Sequence, residues 1–117
     1  MTDVVILSAK RTPVGSFLGS LSSQAAPKLG ATAIKAALEE SGVSGDEVEQ
    51  VIFGNVLQAG QGQAPARQAA IYAGLPKSAG AITLHKVCGS GLRSVMDAAN
   101  AIKAGEWSVV MAGGMEN

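Results

Sequence analysis

Hydrophobic positions along this chain fall into short unbroken runs that alternate with longer helical stripes. Val4, Val5, Ile6 and Leu7 form the first run. Lacking polar alternation, it predicts a strand covered on both faces, as in a parallel sheet. Pro13, Gly15 and Gly19 then mark a loop. Over residues 24–40 the period becomes helical: Leu29, Ala33, Ala36 and Ala37 share a face, and Ile34 and Leu38 widen it. Gly42 is placed to stop that helix. Residues 48–53 predict a second strand, and the glycines of 54–62 a connection. A short alanine-rich helix follows over 64–73, with Pro65 in its first turn and Gly74 and Pro76 at its end. Residues 81–87 predict a third strand. Leu92, Val95, Met96, Ala99 and Ile102 then recur at helical spacing up to Gly105, and residues 107–112 predict a fourth strand.

The predicted order is β-α-β-α-β-α-β. Strands joined through helices build an α/β fold with a mainly parallel sheet and right-handed crossover helices. Neither a repeat nor a linker interrupts the pattern, so residues 1–117 read as one domain. The sequence stops at Gly113-Gly114-Met115-Glu116-Asn117, directly after the last predicted strand. That ending predicts a domain truncated at its carboxyl end.

Composition narrows the picture. The 117 residues are 47% hydrophobic, enough for one modest core and not for two. Charged residues make up 15%, against about 25% in an average soluble domain. Together with 15 glycines and 3% aromatic residues, this predicts close-packed helices on a sheet, with apolar surface that meets further protein. Nine basic and nine acidic side chains cancel. With no basic block and no aromatic platform, nucleic acid is not an expected partner. A single cysteine supports neither an internal disulfide nor a metal cluster. No apolar run reaches the roughly 18 residues of a membrane span, and no signal segment precedes the first run. The expectation is a soluble, cytoplasmic protein with no membrane partner.

Residues 85–93, HKVCGSGLR, hold the only histidine, His85, and the only cysteine, Cys88. Lone cysteines usually serve as small buried hydrophobes. Here the surroundings favour chemistry. Cys88 follows a predicted strand and precedes a predicted helix, at the carboxyl end of the sheet where open α/β folds bind ligands. Gly89 and Gly91 permit a tight turn and a close substrate approach. Unpaired N–H groups in the first turn of a helix favour a thiolate over a thiol. The arrangement is like a nucleophile elbow without its G-x-S-x-G signature. A thiolate so placed suits acyl transfer, in which it attacks a carbonyl and holds a thioester. If the strand continues through His85, period-two geometry turns that imidazole away from Cys88. A general base must lie within hydrogen-bond reach of its proton, and no residue of the chain clearly meets that need.

The remaining polar features are weaker. Residues 60–68, GQGQAPARQ, match neither a Walker loop nor G-x-G-x-x-G. Arg67 reads as a helix-surface arginine in a local or subunit salt bridge, ahead of a phosphate ligand. Met96, Met111 and Met115 fit core or interface packing. Asp46, Glu47 and Glu49 read as a solvated turn, not a metal site. Glu116 and Asn117 sit where functional loops start, without a motif to give them a role.

Val87-Cys88-Gly89-Ser90-Gly91-Leu92 resembles the acyl-enzyme motif of the thiolases, the acetyl-CoA C-acetyltransferases. Residues 8–15, SAKRTPVG, resemble their opening strand and loop. Residues 52–56, IFGNV, and 62–68, GQAPARQ, resemble the second strand and the next helix start. Residues 112–117, AGGMEN, resemble the close of the fourth strand. The resemblance covers essentially the whole chain. It implies a ping-pong reaction in which Cys88 takes an acyl group from a CoA thioester and the enolate of a second acetyl-CoA attacks it. In reverse, CoA cleaves a 3-oxoacyl-CoA. It also implies no metal or redox cofactor, CoA and acetyl-CoA as substrates, dimers or tetramers, and a layered α-β-α-β-α fold of two similar halves.

Only Cys88 carries over as a catalytic residue. The family's activating histidine, its second cysteine, its oxyanion-hole asparagine and its CoA loops belong to positions this chain does not contain. One departure lies beside the motif: the family commonly has asparagine where this chain has His85. Two rivals remain, a decarboxylating ketosynthase and a non-catalytic thiolase-like fragment. Glycines on both sides of Ser90 and the GGMEN ending favour thiolase over ketosynthase. The half-domain alone is expected to be inactive and poorly soluble.

Overall fold

The computed structural model describes residues 2–117. Its strands are β1 (Gln50–Gly54), β2 (Gly80–Leu84) and β3 (Val110–Gly114), and its helices α1 (Ala26–Ser41), α2 (Pro65–Tyr72) and α3 (Ser90–Lys103). The sheet is wholly parallel, in the order β2-β1-β3. Gln50 faces Gly80 and Val110, and Gly54 faces Leu84 and Gly114. This level register brings all three carboxyl ends to one edge. The chain steps from β1 to β2 and then back past β1 to β3. Reversing direction with crossovers of one hand places α2 and α3 on opposite faces.

Alternation along the central strand supplies both faces. Val51 and Phe53 enter a core with Ala26, Ala31 and Ile34 of α1 and Ala66, Ala69 and Ala70 of α2. Small side chains let the two helices approach closely, and this moves the buried seam of α1. It is centred on Ala26, Gly30, Ile34 and Ala37, while Leu29, Ala33 and Ala36 flank it half-buried. At the carboxyl end Gly42 adopts φ 71°, and its N–H donates to Leu38 O at 3.1 Å. That left-handed cap favours glycine and ends the helix as expected.

Three of the expected elements change. Residues 4–7 form no strand, and Val5, Ile6 and Leu7 are 69%, 76% and 60% exposed. An apolar run becomes a strand only beside a neighbour that pairs its N–H and C=O groups. This segment runs along α1 instead. Ser8 Oγ donates to Ala37 O at 2.7 Å, and Lys10 pairs with Glu40 at 2.9 Å. The third strand ends at Leu84, short of residue 87, because the chain turns there. The fourth starts at Val110, since the Glu49 carboxylate accepts the N–H groups of Ser108 and Val109 at 2.8 and 3.2 Å just before it. Glu49 is thus a tie between strand approaches. Glu47 belongs to a capping box with Ser44 around the 3-10 turn Gly45–Glu47.

The face α3 turns to the sheet is not its apolar stripe. Ser90, Ser94, Ala98 and Ala101 are buried, whereas Leu92 and Met96 are 69% and 50% exposed. Gly54 and Gly114 lie beneath the start of the helix, against Ser90 and Gly91, so only small side chains fit between. Ser94 Oγ approaches Gly113 O at 2.8 Å. On the opposite face Arg67 makes no ion pair among the described residues. Its guanidinium donates to Ala79 O and, at 2.8 Å, to Lys77 O, clamping the turn that leads into β2.

Candidate active site

Between Leu84 and Ser90 the chain must reverse from strand to helix. Ser90 is the organiser of this turn. Its buried hydroxyl accepts the Lys86 N–H at 2.8 Å and donates to Val87 O at 2.6 Å. Backbone bonds add Gly89 N–H to Lys86 O at 3.0 Å and Ser90 N–H to Val87 O at 3.2 Å. His85 Nδ1 accepts the Val87 N–H at 3.0 Å. Val87 is thereby held at φ 47°, a left-handed conformation that costs an L-residue about 1–2 kcal/mol. For a β-branched residue it is an outlier. The surrounding hydrogen bonds offset that strain, and the result is that Cys88 stands exposed immediately before the helix cap Gly89.

The start of α3 is seated by glycine. A Cβ on Gly54 would come within 2.6 Å of Ser90 Cβ and 2.7 Å of Ser90 C. In the first turn, the N–H groups of Gly91 and Leu92 have no backbone acceptor among the described residues. Cys88 opens onto a cleft of about 610 Å³. Its lining comes from behind every strand: Val56 and Leu57 after β1, Val87 and Cys88 after β2, Met115 and Glu116 after β3. Open α/β sheets bind ligands at this carboxyl edge.

Glu116 fastens one wall of the cleft to another. Its Oε2 accepts the Val56 N–H at 2.9 Å, and its Oε1 accepts the Leu57 N–H and Asn55 Nδ2 at 3.1 Å each. Asn55 is buried and also donates to Met115 O at 3.2 Å. The sequence carried a faint signal for this pairing. Asn55 and Glu116 both lie just past strands that end level, but the register had to be known first. Glu116→Gln turns one acceptor into a donor facing N–H groups. It should cost about 1.4 kcal/mol and speed amide exchange at Val56 and Leu57 about tenfold. Unchanged exchange at both amides would remove Glu116 from this role.

Of the residues singled out from sequence, His85 and Cys88 share the turn, yet no hydrogen bond joins the imidazole to the thiol among the described residues. Arg67 faces the loop before β2 and does not line the cleft. Met115 is buried at the cleft wall, Met111 packs on the core and Met96 is exposed.

Residues 4–117 match the family described as thiolase, N-terminal domain. This chain belongs to the thiolase family. It is 63% identical over 117 residues to the acetyl-CoA acetyltransferase of Cupriavidus necator, covering 100% of this chain and 30% of that protein. It is 58% identical to the mitochondrial acetyl-CoA acetyltransferase of Xenopus tropicalis, covering 100% of this chain and 28% of that one. Among solved structures, the Acat5 thiolase from Ascaris suum in complex with coenzyme A aligns with 97% of the chain. The TM-score is 0.95 at 42% identity, and 30% of that chain is covered. This thiolase-family chain therefore spans about 30% of the length of the relatives it matches. Its parallel sheet with crossover helices is the fold of the thiolase amino-terminal domain.

Proposed function

We propose that this chain carries the acyl-accepting cysteine of an acetyl-CoA C-acetyltransferase. The observation that supports it is Cys88, exposed on its strained turn at the mouth of a cleft walled by the segments after all three strands. In the forward reaction the Cys88 thiolate attacks the carbonyl of acetyl-CoA, and CoA leaves as its thiolate and takes up a proton. The bound acetyl group is then a thioester on Sγ. A second acetyl-CoA loses a proton from its methyl carbon, and the resulting enolate attacks that thioester. Acetoacetyl-CoA departs and the Cys88 thiolate is restored. Thiolysis of a 3-oxoacyl-CoA is the same path reversed.

Proton transfer in both steps calls for a base within hydrogen-bond reach. His85 is committed to the Val87 amide, so these groups are assigned to sequence outside the 117 residues. Membership of the thiolase family supports reading the working enzyme as a dimer or tetramer of longer chains, and a cytoplasmic location is proposed with it. The test is turnover of free acetyl-CoA by the protein at its natural length, beside the 117-residue chain alone. Condensation without a carrier protein and without a decarboxylating substrate, confined to the longer protein, is the expected result. A requirement for a decarboxylating substrate would turn the assignment to a ketosynthase. No turnover of either kind would leave a non-catalytic thiolase-like protein.

A further inference from the structure

We propose that His85 is a positioning residue for Cys88, acting through the backbone of Val87. The proposal rests on Cys88 being the acyl acceptor. A nitrogen that accepts a hydrogen bond carries no proton, so the neutral ring that binds Val87 N–H holds its own proton on Nε2. The ring is exposed, and the bond spans two residues, in the manner of the turns that asparagine and aspartate side chains close on a backbone N–H two residues ahead. Its target is the amide of Val87, the strained residue at φ 47°.

Without that acceptor the Val87 N–H has only solvent to bind, and the extended conformation natural to valine competes with the turn. Cys88 follows directly, so its Sγ would spread over several positions relative to the cleft and the start of α3. An asparagine at 85 would place an amide oxygen at the same reach. His85 therefore supplies an acceptor atom here and no proton transfer to the thiol.

The experiment compares wild type with His85→Ala and His85→Asn, all at natural length. It measures the rate of acetyl transfer to Cys88, the KM for acetyl-CoA, and the rate of Cys88 alkylation by iodoacetamide. Loss of one exposed hydrogen bond predicts a drop of about three- to tenfold in acetylation rate for His85→Ala, with KM unchanged. His85→Asn should return to within about twofold of wild type, and alkylation should change in parallel. His85→Ala indistinguishable from wild type would overturn the proposal. So would His85→Asn as impaired as His85→Ala, because an imidazole-specific task would then be at work. If wild type accepts no acetyl group, the acyl-acceptor reading fails by itself, and the alkylation order still decides whether His85 sets the turn.

Discussion

Gly54→Ala is expected to unseat α3 and, with it, the turn that presents Cys88. The added methyl would lie 2.6 Å from Ser90 Cβ and 2.7 Å from Ser90 C. These atoms belong to the helix's own first residue, so no flexible side-chain end is free to swing aside. Overpacking of this kind costs about 1–3 kcal/mol or more. Ser90 also carries both hydroxyl bonds that hold Lys86 and Val87, which makes the local damage larger than the global loss. Denaturant melts should therefore show lower stability, and Cys88 should lose its defined reactivity toward iodoacetamide. Gly91→Ala is the control. A Cβ there meets nothing within 4 Å, and replacing a helical glycine by alanine gains about 0.5–1 kcal/mol. If Gly54→Ala melts like wild type, the glycine seat is not what fixes the start of α3.

Cys88→Ala carries the second large effect, on chemistry and not on folding. The side chain is exposed and makes no hydrogen bond among the described residues, so stability should stay within about 0.5 kcal/mol of wild type. Acetyl transfer should fall by about four orders of magnitude or more, the scale on which enzymes respond to losing a nucleophile. Condensation rates of the natural-length protein and its variant, at matched melting profiles, check both statements together. A Cys88→Ala protein that still condenses acetyl-CoA at a tenth of the wild-type rate or faster would remove Cys88 from the reaction.

How much of this was legible in the residues differs from element to element. The α/β class was readable because the apolar period changes from unbroken runs to helical stripes and back. Helix α1 was readable in its extent and its glycine cap, while its buried seam moved to Gly30 and Ile34. Residues 4–7 look like a strand in every local respect, and strand formation depends on a neighbour that local pattern cannot supply. Helix α3 was placed correctly along the chain but was oriented by another rule. Its large apolar residues point outward, and serines and alanines face a glycine-lined sheet that only the register reveals. At the candidate site, the place of Cys88 between a strand and a helix was legible. The left-handed Val87, the Ser90 staple and the Glu116 tie were not. Each depends on a hydrogen bond whose partners meet only once the turn or the sheet has formed.

The measurement closest to the central claim is a peptide map of the natural-length protein after brief exposure to acetyl-CoA. One acetyl group is predicted, on the peptide containing Cys88, and added CoA should remove it with release of acetyl-CoA. A protein that condenses acetyl-CoA while this peptide never carries an acetyl group would contradict the account.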